Sequence, residues 1–185
     1  MSPDDSHLRE EPLRRRSVFD GRLLHVFEDS VRLPDGRTAG REVVEHIGAV
    51  AVVAIDDGGR VVLVRQWRHA VGRALWELPA GTREHGEDVA TTARRELVEE
   101  TGYRAAAWRE LAHGPVSPGY SSEEIWFYAA HGLTAGPASP DADELLDVKL
   151  FDVTQLAGLA RRGDVDLKTL AGLALAGISL DSVDG

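Results

Sequence analysis

The 185-residue chain contains no cysteine. Disulfides, a thiol nucleophile and a thiolate zinc site are therefore excluded. Positive charge is in deficit, with 21 Lys and Arg against 31 Asp and Glu and a formal charge of −10. Such a balance argues against nucleic acid or an anionic membrane as the main partner. Long apolar runs are missing as well, since none approaches the roughly 18 residues that a membrane helix needs. The first sixteen residues, MSPDDSHLREEPLRRR, lack the apolar core of a signal peptide, so the expected location is cytoplasmic.

What is present is one domain's worth of alternating apolar and polar segments, long enough to bury a core. Residues 1–16 are charged and proline-containing and are expected to be a disordered tail, with Arg14 to Arg16 a solvated run or a basic patch. Residues 17–46 read as strands around the turn Leu33-Pro34-Asp35-Gly36 and form an extra N-terminal sheet. AVAVVAID and RVVLVRQWR, joined across Asp57-Gly58-Gly59, have the β-branched density of central strands. Residues 87–101 lack Gly and Pro, are rich in Ala, Arg, Glu and Leu, and read as a helix stopped by Gly102. AAAWRELAH, EIWFYAAHGL and LLDVKLFDV read as further strands, and residues 154–175 as two helices split at Arg162-Gly163-Asp164.

The chemistry concentrates on the helix. At about 100° per residue Val89, Ala93 and Leu97 form its apolar stripe, and Glu96 and Glu100 stand at the stripe's edge one turn apart. Like charges at i, i+4 repel, and carboxylates beside apolar surface cost more unless something compensates. A divalent cation would compensate, and an oxygen-only donor set favours magnesium or manganese over zinc. Glu99 can add a metal position or pair with Arg95. The plain alternative is a solvated acidic face.

Spacing argues against that alternative. Gly81, Glu87, Arg95, Glu96, Leu97, Glu99, Glu100 and Gly102, closed by a bulky Tyr103, resemble the Nudix hydrolase signature at every fixed position, Tyr103 being the soft match. The resemblance implies an α/β fold: an α/β/α sandwich with a mixed sheet, here carrying the extra N-terminal antiparallel sheet over 17–46 before a Nudix domain over 47–180. It also implies a metal site of Glu96, Glu99, Glu100 and the Ala80 carbonyl, which leads into the signature. The absence of cysteine speaks against the isopentenyl diphosphate isomerase branch.

The flanks narrow the resemblance to the ADP-ribose pyrophosphatases. REVVEH, VRQWR, WELPAG and SPGYSSE are similar to that subfamily, with Pro118 sixteen residues beyond Gly102 as its downstream proline. By the same resemblance Arg41 and Arg68 would meet substrate phosphates and Glu123 the terminal ribose, by guanidinium forks and a diol-accepting carboxylate. Pattern alone leaves Arg41 equally a solvent-facing strand residue. Trp67 and Trp76 could stack adenine or belong to the core.

The implied reaction is metal-dependent hydrolysis of the ADP-ribose diphosphate to AMP and ribose 5-phosphate. Other readings are a nucleotide-sugar or dinucleotide pyrophosphatase, and a non-catalytic ADP-ribose sensor. The resembled subfamily also implies a homodimer in which 17–46 pack onto the partner and Arg41 serves its site. One departure concerns the general base, because Ala142 and Glu144 stand where relatives carry an E-x-E pair. Glu144, a base and metal ligand by this reading, is the first choice, Asp143 the second, and Asp141 also lies in the acidic loop, GPASPDADE, expected before the last strand. The alternative is that Glu99 or Glu100 activates water directly.

Overall fold

The computed structural model describes residues 5–139 and 145–180. They divide into two compact units, one of residues 1–48 with 115–124 and the other of residues 49–114 with 125–185.

The N-terminal unit is a three-stranded antiparallel sheet, β1 (Glu11–Asp20), β2 (His25–Arg32) and β3 (Thr38–Glu45), in that order. β1 begins inside the stretch expected to be a disordered tail, which corrects that expectation. Its register explains why the charged run is a strand. Arg15 lies opposite Asp29 and Arg16 opposite Glu28. Arg15 bonds both Asp29 oxygens at 2.8 and 2.6 Å and also pairs with Glu45, while Arg16 pairs with Glu28. Directly opposed charges of unlike sign favour the pairing. Arg15 and Arg16 are thus exposed, as a solvated run would be, but paired, so they form no open basic patch. Val31 is the one buried apolar side chain among this unit's described residues.

The C-terminal unit carries the core. A four-stranded mixed sheet runs β7 (Ala80–Thr82), β4 (Ala49–Ala54), β9 (Glu124–Ala135), β8 (Tyr103–Pro115), with β4 parallel to β9 and antiparallel to β7. A second sheet runs β10 (Asp147–Phe151), β5 (Val61–Arg68), β6 (Arg73–Glu77) and is antiparallel. β4 and β5, adjacent in sequence, lie in different sheets. Both of their faces are covered, so Val50 to Ala54 and Val61 to Val64 are fully buried, as continuous β-branched runs require.

Alternation along β4 separates two clusters. Val50, Val52 and Ala54 pack with Ala93 and Leu97 of α1 (Val89–Thr101). Ala51 and Val53 pack with Leu63, Leu78, Phe127 and Phe151, and with Leu156 and Leu159 of α2 (Val153–Arg162) and Leu173 of α3 (Leu167–Leu175). Helices thus cover both sides of the sheets, the α/β/α arrangement expected. No helix among the described residues is long and apolar enough to cross a membrane.

Candidate active site

α1 starts at Val89, two residues later than the sequence suggests, because Asp88 is its N-cap and accepts from the amides of Ala90 and Thr91 at 3.1 and 3.2 Å. Such a cap satisfies amides with no partner inside the helix. Gly102 ends the helix with a left-handed φ of 74°. Between these stops, the face that buries Ala93 and Leu97 also takes Glu96 and Glu100 inward, to 9 % and 2 % exposure.

Backbone from β7 meets both carboxylates. The Ala80 amide donates to Glu100 Oε2 at 2.9 Å. Gly81 lies so close to the Glu96 carboxylate that a Cβ there would overlap it. This accounts for glycine at the head of the signature: the acid occupies the space a side chain would fill.

Arg95 organises the remaining charge. Its Nε and Nη2 bond the two oxygens of Glu87 at 3.0 and 2.9 Å, and Nη1 reaches Glu96 at 2.8 Å and Glu99 at 3.0 Å. Glu87 also accepts from the Thr92 hydroxyl at 2.9 Å and the Glu84 amide at 3.1 Å. The Arg95 guanidinium, aided by these donors, holds the Glu87 carboxyl down at about 2. The Arg95 pKa rises for the complementary reason. Of the two roles open to Glu99, the pairing with Arg95 is the one formed here.

Behind the acids lies a second ionic group that sequence reasoning missed. Glu77, 2 % exposed, accepts from Arg68 Nε and Nη2 at 2.6 and 2.7 Å and from Lys168 Nζ at 3.2 Å. Burial pushes the Glu77 carboxyl up, but the bonds and charges of Arg68 and Lys168 outweigh it, leaving the group below its ordinary value. The next residue, Leu78, donates its amide to the buried Thr169 hydroxyl at 3.0 Å. α3 therefore locks the segment that leads to Ala80. The available signal was a lone acid interrupting the apolar run Ala74-Leu75-Trp76 and Leu78.

The structure brings Ala80, Glu96, Glu99 and Glu100 together along β7 and α1. Arg68 shares their unit, and the Glu100 charge acts on it. Its fork is engaged by Glu77, leaving Nη1 without a hydrogen-bond partner among the described residues. Arg41 and Glu123 belong to the N-terminal unit. There Arg41 pairs through Nε and Nη2 with Glu10, and Glu123 donates its amide to Ser121 Oγ and accepts at its carbonyl from the Val116 amide. Trp76 packs edge-on against Phe151 at 4.8 Å, a core role. Trp67 is 63 % exposed. Asp141, Asp143 and Glu144 lie outside the described residues.

The donor set suits a hard divalent cation: carboxylate oxygens partly or wholly withdrawn from water, beside a glycine that lets backbone approach. Among the described residues no three acid or histidine side chains already converge on a single metal position. Glu96 and Glu99 instead face Arg95.

A family profile described as NUDIX domain matches residues 45–171, and one described as nucleoside diphosphate sugar hydrolase N-terminal domain matches residues 10–44. The chain is 37% identical over 171 residues to an ADP-ribose pyrophosphatase of Mycobacterium tuberculosis, covering 91% of this chain and 81% of that protein. It is 41% identical over 141 residues to a methanol dehydrogenase activator of Bacillus methanolicus, covering 75% and 76%. A crystal structure of an ADP compounds hydrolase superposes with a TM-score of 0.81 at 23% identity, over 92% of this chain and 94% of that one. With the signature's glycine, arginine and acids gathered on one loop and helix, the chain belongs to the Nudix family of hydrolases.

Proposed function

We propose that the protein hydrolyses the diphosphate linkage of ADP-ribose to AMP and ribose 5-phosphate, with magnesium or manganese as cofactor. The observation that carries this reading is the pair of buried carboxylates, Glu96 and Glu100, seated against the Gly81 and Ala80 backbone. Glu96, Glu99, Glu100 and the Ala80 carbonyl would hold the cation. When bound, it supplies charge neutralisation of the diphosphate and a more acidic water.

The protein's own groups do the rest. Arg95 orients Glu96 and Glu99 through its Nη1. The free edge of Arg68 suits a phosphate oxygen, since the buried Glu77 fixes the other edge of the planar fork. Arg41 and Glu123 are assigned to a second phosphate and a ribose diol. A carboxylate takes the proton of the attacking water, Glu144 first and Asp143 second, with Glu99 or Glu100 as the alternative.

The substrate choice rests on the flanking sequence and on similarity to the mycobacterial enzyme. The N-terminal profile, described for nucleoside diphosphate sugar hydrolases, favours nucleotide sugars as the second reading. A panel of ADP-ribose, nucleotide sugars, dinucleotides and nucleoside triphosphates, with products identified by chromatography, separates the two. Turnover of nucleotide sugars ahead of ADP-ribose would decide for the second.

The same reading includes a homodimer built on residues 17–46. β1 is an edge strand, exposed at all ten positions, with Leu13, Val18 and Phe19 open to solvent. A sheet with a single buried apolar side chain needs cover to be stable. Light scattering at micromolar concentration tests it, and a monomer would refute it.

A further inference from the structure

Within the C-terminal unit, the run Trp76 to Ala80, which leads to the signature glycine, is held at every residue by another element. The Trp76 amide donates to the Asp164 carbonyl at 2.8 Å, and Trp76 forms a parallel bridge with Val165. Glu77 meets Lys168 Nζ at 3.2 Å, and the Leu78 amide donates to Thr169 Oγ1 at 3.0 Å. The Pro79 carbonyl accepts from the Val52 amide at 2.9 Å, and the Ala80 amide donates to Glu100. Gly172, three residues beyond Thr169, lies so close to Leu78 that a Cβ there would overlap it. The start of α3 is thus fitted to residues 76–78 in succession.

Lys168 stands where helix electrostatics disfavour it. It is the second residue of α3, at the positive end of the helix dipole. Two acids offset that: Glu77 Oε2 lies at 3.2 Å, and the N-cap Asp166 presents Oδ2 at 3.5 Å while accepting from the Thr169 amide at 2.9 Å. Lys168 Nζ and Arg68 Nη2 converge on the same Glu77 oxygen, and Arg68 Nε takes the other. Arg68 is the exposed partner, its side chain 41 % open to solvent against 20 % for Lys168. The last torsion of a glutamate is soft, so a carboxylate held by a guanidinium alone could turn and take an exposed arginine with it. Lys168 fixes one oxygen against a helix, and the planar fork carries that orientation to the outer edge of Arg68.

We infer that Lys168 is a positioning residue for phosphate recognition: through Glu77 it sets the direction in which Arg68 presents its outer edge. The inference rests on the reading above, in which Arg68 meets a substrate phosphate, and it adds the first turn of α3 to that site. The Glu100 and Asp166 charges both act on Arg68, so the relay from α3 ends within electrostatic reach of the α1 acids. Arg68 alone already neutralises Glu77. The second cation adds orientation, because each further donor removes a way for the carboxylate to turn.

The test compares the full-length protein with Lys168→Met, Glu77→Gln and the double variant, their folding checked by circular dichroism and thermal melting. ADP binding in the presence of magnesium is measured by calorimetry, and KM and kcat with ADP-ribose. Lys168→Met should weaken ADP binding and raise KM roughly 10-fold, the low end for one charge-assisted hydrogen bond, with kcat within about three-fold of the parent. Glu77→Gln should show a similar loss, and adding Lys168→Met to it should weaken binding no further, because the route to Arg68 is already cut. A Lys168→Met protein that melts lower but binds ADP like the parent overturns the inference, since its role is then stability alone. So does an equal loss of affinity from Lys168→Met in both backgrounds. The double variant leaves no bare buried anion, so it decides even where Lys168→Met alone does not fold: affinity equal to Glu77→Gln supports the inference, and a further loss overturns it. If ADP binding follows the expected pattern but the parent does not turn over ADP-ribose, the functional reading fails while the positioning role stands.

Discussion

Two arginine–carboxylate pairs, one in each unit, have the same two-point contact and opposite surroundings. Arg68 and Glu77 meet with the acid buried among Leu78, Lys168 and Thr169, whereas Arg41 and Glu10 meet at the surface. In the first, removing one partner strands a charge away from water; in the second, solvent replaces whichever partner leaves. The difference extends to the units themselves. The C-terminal unit buries β4, the first half of β5 and three of its described acids, and the N-terminal unit is held by paired charges around a nearly bare sheet. Burial therefore separates a rigid hydrolytic scaffold from a surface whose contacts can be exchanged for ligand or partner.

The largest effect short of the metal acids is expected from the acidic residues of 140–144. If one of them supplies the base, Glu144→Gln or Asp143→Asn lowers kcat by roughly 10²–10⁴-fold at saturating magnesium and substrate. If both remain within a few-fold of the parent, Glu99 or Glu100 carries the proton.

The contrast between the arginine pairs is sharpened by removing each acid. Glu77→Gln should cost about 3 kcal/mol in urea unfolding, the low end for breaking a buried pair, since Arg68 itself is part-exposed. Glu10→Gln should change stability by no more than about 1 kcal/mol. Equal losses would show that burial does not govern these contacts.

A smaller effect concerns acid. The Glu87 carboxyl is held at about 2 in the fold against an ordinary 4.5. A depressed pKa contributes stability that is complete above the unfolded value and disappears as pH falls through the folded one. Glu87→Gln should therefore flatten the loss of stability between about pH 4.5 and pH 2 and leave little pH dependence of its own above it. An unaltered acid limb in the variant's unfolding curve would count against the Glu87–Arg95 linkage.

Much of this was legible in the chain because periodicity and the signature agreed. α1, its glycine stop, the buried runs of β4 and β5 and the two terminal helices follow from pattern, and the inward turn of Glu96 and Glu100 follows from helix geometry. The first part of β1, before Ser17, was not legible. The strand's ten positions are all exposed, so no alternation marks it, and its pairing depends on Asp29 and Glu28 of the next strand. Glu77 escaped for a related reason: its partners are Arg68 on the neighbouring strand and Lys168, ninety-one residues away, and spacing within one element carries no trace of them. Trp76 illustrates the reverse, an aromatic next to the signature that packing against Phe151 claims for the core.

The central claim is that the two buried carboxylates of α1 are the hydrolytic centre, and ADP-ribose turnover by Glu100→Gln tests it most directly. With magnesium saturating and the fold verified by circular dichroism and thermal melting, the parent should release AMP. The variant should lose on the order of 10²-fold or more in kcat, the scale of removing one preorganised charge-stabilising group, while melting no lower than the parent because a like-charge repulsion has been relieved. A folded variant that retains the parent's kcat would contradict the account.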